Sequence, residues 1–404
     1  MWYAGLDWSD THHDVVVIDA DGHQVASKRV DHSKAGLEAL LTFLEGITGP
    51  TQKQDLACLV ETNRGLLIAA LLEAGFPVYP VNPRALDRRR APSGAKTDLI
   101  DAYLLAKMGR ADLADLRRLQ PDPPLLQELK NLTRDQEQLI QMQTRLVNQI
   151  TACLKAYYPV ALSLFTKLHQ RSTLRFLQAY PTLQEAMAAS PAQLTSVLKQ
   201  AGHSKAELVA AKLFERLHQP QLVADPITTR TKSRLMLALV AQLLPLLDQI
   251  AAYDKEVVAL FLTHADSPVF ASLPGAGKRL APRLLAEWGD DRTRYSSARQ
   301  VQALAGTAPV PYESGNYRTA HRRSACLKPL RNALYQFAWQ STLTEPWAKD
   351  YYHRKRAQSK SHSVAVRALS NTWVRILFRM WVSQQAYERS IFEAAQGAHG
   401  TRAA

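Results

Sequence analysis

Four carboxylates lie at the ends of predicted strands and helices, where side chains from separate elements can meet. Asp7 and Glu61 each follow a short apolar run that is typical of a β-strand. Asp98 and Asp101 lie three residues apart at the start of a predicted helix, so they share one face, about 5–6 Å apart at Cβ. Converging carboxylates repel one another and require a cation between them. A divalent cation with oxygen ligands, Mg²⁺ first and Mn²⁺ second, meets that need and indicates phosphodiester chemistry on nucleic acid.

Positive charge is concentrated in the last third of the chain. Residues 1–269 contain 29 Lys and Arg against 28 Asp and Glu, whereas residues 270–404 contain 21 against 8. A generally basic protein would not show this localisation. The distribution therefore predicts a C-terminal domain that contacts nucleic acid, separate in the sequence from the acidic residues.

The composition is that of a folded protein in a reducing compartment. The chain has 404 residues, of which 46% are hydrophobic, so two or three domains are expected and disorder is excluded. We expect no membrane segment, because apolar runs look short of a span, and no secretion signal. Cys58, Cys153 and Cys326 are far apart and fit no metal-ligand spacing. The expected location is the cytoplasm.

The elements that position the acids alternate between strand and helix. Asp21-Gly22 is a hairpin signal, and Ser33 and Thr97 are suited to cap helices. Strands are predicted over 3–7, 14–19, 23–30, 55–60 and 77–81, and helices over 33–45, 64–74 and from Thr97 onward. A hairpin followed by alternating elements predicts an α/β domain, and the order with an acid on the first strand resembles the RNase H-like (RuvC-like) fold.

After the break at 121–124 the pattern becomes helical. Two heptad seams suit coiled-coil pairing with each other or with another subunit, and two helices of an ordinary bundle remain an equal alternative. Pro245 should kink the second helix or mark its beginning. The seams are Leu125, Leu129, Leu132, Gln136, Leu139, Gln143, Leu146 and Ile150, and then Met236, Leu239, Leu243, Leu246, Ile250, Tyr253, Val257 and Leu260. Between them, residues 155–232 predict short helices broken by prolines and Gly202, with no assigned role.

The basic third opens with a glycine-rich turn before a predicted helix. Gly275 and Gly277 lie in Leu-Pro-Gly-Ala-Gly, and Lys278 and Arg279 follow in the first helical turn. Such a turn exposes backbone N–H groups that suit a phosphate, and nearby cations add attraction. The segment resembles the hairpin of a helix-hairpin-helix motif. A plain loop at a helix start is the alternative.

Further along, a serine lies in a turn-like Glu-Ser-Gly segment among cations. Ser314 is followed by Arg318, Arg322, Arg323 and Lys328, which we expect to contact nucleic acid. A serine hydroxyl is a poor nucleophile unless it is activated or placed against a charge-neutralised phosphate. On the local pattern alone, Ser314 is a turn residue.

Taken together, these segments resemble one family, the DEDD-type transposases of the insertion sequence 110 family, in its second large subgroup. The N-terminal motifs are Gly-Leu-Asp-Trp at 5–8, Val-Glu-Thr at 60–62, Val-Asn-Pro at 81–83 and Lys-Thr-Asp-x-x-Asp-Ala at 96–102. The C-terminal motifs run from 273–277 through Ala-Leu-Ala-Gly-Thr-Ala-Pro at 303–309 to Tyr-Glu-Ser-Gly at 312–315. The family architecture implies a RuvC-like domain over 1–118, a coiled-coil and helical region over 119–266, and a basic, mainly helical transposase domain over 267–404.

The resemblance also implies roles for the residues. Asp7, Glu61, Asp98 and Asp101 become the Mg²⁺ site, and Ser314 becomes the nucleophile that forms a phosphoserine link to DNA. The partners implied are donor and target DNA, a structured noncoding bridge RNA that selects sequence by base pairing, and further copies of the chain in a dimer or tetramer. When bound to DNA, the protein would be associated with the nucleoid. The long middle region departs from the shorter family pattern.

Two other readings stay open on the residues alone. One is a metal-dependent RuvC-like nuclease or Holliday-junction resolvase, in which an activated water attacks and the basic third only binds. The other is a nucleic-acid-binding protein without catalysis. We further expect residues 88–90 (Arg-Arg-Arg) either to touch a nucleic-acid backbone or to form a solvated loop, and His12 and His13 to lie on the surface.

Overall fold

A computed structural model describes residues 1–90, 96–391, 393 and 394 of the chain. The described chain divides into two compact units, Met1–Asp122 and Pro123–Ala404. The boundary coincides with the proline-rich break, where Pro123 precedes the first helix of the second unit. The finer division into three domains stays a prediction.

The first unit is built on one five-stranded mixed sheet. Its spatial order is β3-β2-β1-β4-β5; β1 is antiparallel to β2 and parallel to β4. The elements are β1 Trp2–Trp8, β2 His12–Ile18, β3 Gln24–Asp31, α1 Lys34–Thr48, β4 Leu56–Val60, α2 Leu66–Glu73, β5 Val78–Pro80, α3 Pro83–Arg90 and α4 Asp98–Asp112. The predicted α/β architecture is confirmed, and the domain is consistent with an RNase H-like fold.

Local sequence accounts for the helix starts that matter for the site. The Ser33 side chain accepts a hydrogen bond from the Gly36 amide at 3.1 Å, and the Thr97 hydroxyl accepts one from the Ile100 amide at 3.2 Å. Each contact satisfies an N–H group that the first turn of a helix leaves without a backbone partner. Both caps were predicted, and the second fixes the start of the helix that carries Asp98.

Helix α4 lies unusually close to the sheet because of two glycines. One lies on the strand that faces the helix, and the other lies within the helix. A Cβ atom at Gly5 of β1 would stand 1.8 Å from the Ala102 carbonyl oxygen. A Cβ atom at Gly109 of α4 would stand 2.4 Å from Cδ2 of Leu59 on β4. The helix backbone therefore approaches β1 directly at Gly5, near the start of the helix, and Gly109 leaves room for the Leu59 side chain of β4 near its end.

The second unit is helical apart from one β-hairpin in its described part. Its elements are α5 Pro124–Tyr157, α6 Ala161–Leu164, α7 Arg171–Ala179, α8 Leu183–Ala188, α9 Pro191–Gln200, α10 Ala206–Leu217, α11 Pro226–Leu262, α12 Ser267–Ala271, α13 Gly277–Trp288, α14 Ala298–Leu304, β6 Val310–Ser314, β7 Tyr317–His321, α15 Lys328–Thr344, α16 Pro346–Ala357 and α17 His362–Ser383. The predicted prolines and Gly202 lie at the breaks between the short helices. A mainly helical C-terminal region is thus confirmed, whereas the hairpin was not predicted.

The two heptad helices pack on each other within the chain. Buried Gln136 of α5 donates a hydrogen bond of 3.0 Å to Asp254 of α11. Leu129 shares a core with Phe261, whereas Ile150 shares a different core with Val240, so the two helices run antiparallel. Helix α11 begins at Pro226 and contains Pro245 in its interior, so the expectation that Pro245 marks its beginning is wrong.

Helices α6–α10 form one core with the far ends of α5 and α11. Helix α11 is long and apolar enough to cross a membrane, contrary to the expectation that no run reaches that length. Long core helices of folded proteins share this length and composition. Met236, Leu243 and Val257 of α11 are fully enclosed in the two cores of the unit.

The C-terminal core is rich in aromatic side chains from α13 to α17. Trp288, Trp373 and Trp381 are fully buried, and the Trp381 indole donates a 2.9 Å hydrogen bond to the Gly289 carbonyl. Large buried rings contribute much apolar area, which holds short helices together. This core supports the exposed hairpin β6–β7, and Gly315, with φ at +55°, makes its two-residue turn.

Candidate active site

The sheet of the first unit and helix α4 bring the four predicted acids together. Asp7 is near the end of β1, Glu61 directly follows β4, and Asp98 and Asp101 occupy the first turn of α4. Strands β1 and β4 are parallel neighbours, so the residues at their C-terminal ends lie at one edge of the sheet. Helix α4 packs across the same two strands and adds its two carboxylates.

Asp7 lies close enough to the other three predicted acids to be affected by their charge. Burial, and then repulsion by Asp101, Asp98, Glu61 and Asp14, raises the pKa of Asp7 from 3.8 to about 6. Burial also raises the pKa of Glu61, although the Arg90 cation opposes that shift. A site that holds these acids ionised at neutral pH therefore benefits from added positive charge.

Part of that positive charge is supplied by Arg90, the last residue of α3. Its Nε and Nη2 atoms donate to the two carboxylate oxygens of Asp101, the second at 2.6 Å. Its Nη1 atom also donates to Asp87. Asp101 is only 3% exposed, so the pair is largely desolvated. Sequence patterns suggested a nucleic-acid contact or a solvated loop for residues 88–90; they lie in helix α3, so the loop is wrong, and the nucleic-acid contact stays a prediction. Arg90 neutralises a site acid.

A second cluster adjoins the four acids and was not predicted. Asp14 lies directly opposite Asp7 in the β1–β2 pairing and receives two hydrogen bonds from Arg29, at 2.9 and 2.7 Å. The Nε2 atom of His12 lies 3.3 Å from Asp98 and 3.8 Å from Asp14. His12, Asp14 and Asp98 offer ligand atoms within 4.8 Å of one another, as a metal ion would require.

We expected His12 and His13 to lie on the surface, and this prediction is wrong for His13. Its side chain is fully buried, and its Nε2 atom lies 2.9 Å from Nδ1 of His32. His12 is partly exposed and belongs to the cluster around Asp98. Alternation along β2 explains the difference, because successive side chains point to opposite faces of the sheet.

The donor set fits a hard divalent cation. Carboxylate oxygens from three separate elements converge, and the raised pKa of Asp7 reports an excess of negative charge at that point. Ca²⁺ and Mg²⁺ prefer oxygen ligands, and Mg²⁺ sites usually combine one or two carboxylates with waters and substrate phosphates. The arrangement therefore has the charge, the ligand type and the open edge that phosphoryl chemistry requires.

Ser314 lies in the second unit, at the tip of the β6–β7 hairpin. It pairs with Tyr317 across the two-residue turn, and most of the hairpin is exposed. Tyr312 and Tyr317 are 52% and 62% exposed, with ring centroids 6.3 Å apart. Exposed tyrosines beside a projecting serine are unusual for a solvated turn and suit a surface that is covered by a ligand.

The glycine-rich turn has the predicted form, but one of its cations is engaged. Gly275 and Gly277 have φ of +79° and +57°, and Lys278 is exposed at the start of α13. Arg279 donates to both oxygens of Asp254 on α11, at 2.6 and 2.7 Å. The segment before it holds the short helix α12, so the helix–turn–helix order of the predicted motif is present.

The other predicted cations lie on β7 and in the segment that follows it. Arg318 is exposed on β7 opposite Glu313, and Arg322 is exposed just after that strand. Arg323 is partly buried, and its Nε atom has no hydrogen-bond partner among the described residues. Lys328 is exposed at the first position of α15. All four lie within one continuous segment that leads away from Ser314.

An RNase H-like sheet with four clustered acids, joined to a basic helical unit, defines a DEDD-type transposase, an enzyme of DNA transposition. The chain matches the DEDD transposase model of the IS110 type over residues 4–159 and the transposase model of the IS116/IS110/IS902 family over residues 267–353. The protein belongs to this IS110 family of insertion-sequence transposases.

Full-length relatives support the assignment. The chain is 32% identical to the mini-circle putative transposase for IS117 of Streptomyces coelicolor, over 96% of this chain and 95% of that protein. It is 29% identical to an uncharacterized 44.8 kDa protein of insertion element IS116 of Streptomyces clavuligerus, over 94% of each chain. A pilin gene-inverting protein of Moraxella bovis is 25% identical over 53% of this chain and 64% of its own length.

Proposed function

We propose that this transposase is guided by a structured RNA and cuts and rejoins DNA through Ser314, assisted by Mg²⁺ held at Asp7, Glu61, Asp98 and Asp101. The observation that carries the proposal is that the acids and the serine are in different parts of the chain. The acids cluster in the first unit, and the exposed serine lies in the basic second unit. A nuclease that activates water needs no such serine.

The acids would hold Mg²⁺, with Mn²⁺ as a substitute, against a non-bridging oxygen of the scissile phosphate. The bound cation supplies charge neutralisation, which lowers the barrier to attack by an oxygen nucleophile. The fold fixes Asp101 by burial and Glu61 by its place directly after a buried strand, and a bound cation would share Asp101 with Arg90. The His12 imidazole lies 3.3 Å from Asp98 and orients its carboxylate.

In the cleavage step the Ser314 oxygen forms a bond to phosphorus while the bond from phosphorus to one deoxyribose oxygen breaks. The serine proton is lost to a base, and the departing deoxyribose oxygen gains a proton. Attack on the phosphoserine by a hydroxyl of another strand reverses these changes and frees the serine. The number of phosphate ester bonds is unchanged, so strand exchange requires no nucleotide cofactor.

Two features support partners beyond DNA. The excess of cations in the last third provides more charge than one short hairpin contact uses, which suits an additional bridge RNA. The resemblance to the IS110 family supports further copies of the chain, in a dimer or tetramer, as the second kind of partner. Such an enzyme acts on the nucleoid DNA of its host.

The serine role is tested by trapping the covalent intermediate. Purified protein, its co-purified RNA and end-labelled donor and target DNA are incubated with Mg²⁺, and protein–DNA adducts are resolved under denaturing conditions. We expect adducts with the parent protein and with Ser296→Ala, an exposed serine in the same unit, and none with Ser314→Ala. Adducts that persist in Ser314→Ala would exclude this serine.

The alternative is a metal-dependent RuvC-like nuclease or resolvase, which the acid cluster by itself favours. In that case Ser314→Ala cuts DNA normally without an adduct, whereas Asp101→Asn does not cut. The RNA component is tested separately by sequencing RNA bound to the purified protein. Absence of a specific RNA would overturn guidance and leave the serine chemistry standing.

A further inference from the structure

Three arginines meet at the base of the serine hairpin in the second unit. Arg322 follows β7, Arg331 is in the first turn of α15, and Arg367 is in α17. The Ser370 hydroxyl of α17 donates to the Leu334 carbonyl of α15 at 3.3 Å, which brings the two helices together one turn beyond Arg367 and Arg331. The two guanidiniums are thereby held near each other by the packed core.

These arginines lack the acidic partners that other arginines of the unit have. Burial, and then repulsion by Arg322 and Arg331, lowers the pKa of Arg367. Among the described residues no carboxylate forms an ion pair with any of the three, and the Arg331 guanidinium donates to the Cys326 sulfur at 3.6 Å. By contrast, Arg283 pairs with Glu137 and Arg292 with Asp266.

A half-buried group of like charges is costly unless an anion neutralises it. Tyr335 lies beside the group, since both Arg322 and Arg367 influence its phenol. Burial raises the pKa of Tyr335, so its hydroxyl remains a hydrogen-bond donor at neutral pH. The cluster thus presents three cations and one neutral hydroxyl, with no carboxylate paired to the cations among the described residues, which is the chemistry that recognises a phosphate group.

We propose that Arg322, Arg331 and Arg367, with the Tyr335 hydroxyl, bind one phosphodiester of the DNA strand that Ser314 attacks. The proposal rests on the proposed function and names a binding subsite for it. Ser314 pairs with Tyr317 at the start of β7, and Arg322 follows that strand five residues later, which at about 3.4 Å per residue places Ser314 and Arg322 roughly 17 Å apart. One strand of B-DNA has a phosphate about every 3.4 Å along the axis, so the bound phosphate is roughly five nucleotides from the cut.

The test is the salt dependence of DNA binding in a Ser314→Ala background, which measures binding without cleavage. Duplex DNA affinity is measured between about 50 and 200 mM salt. Loss of one phosphate contact lowers the slope of log affinity against log salt by about 0.9. We expect this change in Arg331→Gln and in Arg367→Gln. The double variant should lose about one contact, since both arginines serve the same phosphate.

Arg375→Gln is the matched control, because Arg375 is an exposed cation farther along the same helix α17. It should leave the slope unchanged. An unchanged slope in both Arg331→Gln and Arg367→Gln, or a double variant that loses two contacts, would overturn a single shared phosphate site. A parent protein without salt-dependent DNA binding would instead contradict the proposed function as well.

Thermal unfolding separates binding from a structural role. Without DNA, Arg367→Gln should melt at the same temperature as the parent or higher, because the substitution removes repulsion within the cluster. Added duplex DNA should raise the melting temperature of the parent more than that of the variant. A variant that melts well below the parent without DNA would show that Arg367 holds the fold, and would count against the site.

Discussion

Arg90 donates two hydrogen bonds to the buried carboxylate of Asp101, so a guanidinium already neutralises one of the four site acids. The same cation also opposes the rise that burial causes in the pKa of Glu61. A divalent ion at these carboxylates must therefore share Asp101 with Arg90 or displace it. Because Arg90 and a metal ion would compete for Asp101, the effect of each on stability can be measured without any DNA.

Arg90→Gln should destabilise the metal-free protein and increase its response to metal. Removing one partner of a buried ion pair costs about 3 kcal/mol, because the other charge stays buried. Added Mg²⁺ or Mn²⁺ should recover part of this loss by binding the freed acid. Denaturant unfolding with and without metal measures both effects.

Arg89→Gln provides the control for that experiment. Arg89 pairs with Asp112, and both side chains are more than a third exposed. Surface pairs contribute about 0–1 kcal/mol, so this variant should unfold nearly as the parent does and respond to metal equally. An Arg90→Gln protein with the same metal response as Arg89→Gln would show that Arg90 does not compete for the metal position.

The raised pKa of Asp7 predicts an unusual pH dependence of stability. Its folded pKa of about 6 exceeds the ordinary 3.8, so between these values the folded state binds more protons than the unfolded state. The free energy of unfolding of metal-free protein should therefore carry a contribution that is lost as the pH rises from about 4 to 6. Unfolding at several pH values in EDTA should show this decline in the parent and a weaker one in Asp7→Asn.

Metal affinity should have the opposite pH dependence. A carboxylate ligand must be deprotonated, so affinity for Mg²⁺ should rise as the pH increases through about 6. Titration with Mn²⁺, followed by its paramagnetic signal, measures this directly. Affinity that is flat from pH 5 to 7 would mean that Asp7 is not a ligand.

The two glycines of the turn before α13 should differ in their tolerance of alanine. A Cβ atom at Gly275 would lie 2.9 Å from the Thr344 hydroxyl and 3.1 Å from the Gln340 carbonyl, whereas nothing lies within 4 Å at Gly277. Gly277→Ala should cost about 1 kcal/mol for its left-handed backbone alone, and Gly275→Ala more. Denaturant unfolding ranks the two, and equal losses would contradict the close packing of Gly275 against α15.

Lys278 and Arg279 should separate DNA binding from stability. Arg279 is paired with Asp254, so Arg279→Gln should lower the free energy of unfolding by about 1 kcal/mol and change the salt slope little. Lys278→Gln should leave stability unchanged and lower the slope by about 0.9 if it binds a phosphate. A lower salt slope in Arg279→Gln together with an unchanged slope in Lys278→Gln would show that Arg279 leaves Asp254 and binds DNA.

The architecture of the first unit was predictable because its local signals agree with one another. Short apolar runs form the strands, and Ser33 and Thr97 cap the helices where expected. The convergence of the four acids followed from their positions at element ends. The hairpin that carries Ser314 was not predictable, because its exposed strands show no alternation of apolar and polar residues.

The remaining site residues depend on contacts that spacing does not encode. Asp14 lies opposite Asp7 because of the register in which β1 and β2 pair. The short loop after Trp8 was a signal in the sequence from which this register could have been inferred. Arg90 reaches Asp101 only because α3 packs beside α4. Arg331 and Arg367 are 36 positions apart and meet through the packing of two helices. Such pairs require the tertiary structure.

The closeness of α4 to the sheet has a consequence for genetics. Gly5 and Gly109 contribute no ligand and no charge, yet Gly5 faces the helix backbone and Gly109 faces the Leu59 side chain of a central strand at very short range. A side chain at either position would lift the helix and move two acids away from the other two. A mutational screen scored only by transposition would therefore rank these two glycines with the four clustered acids, although a glycine offers no side chain that could take part in the reaction.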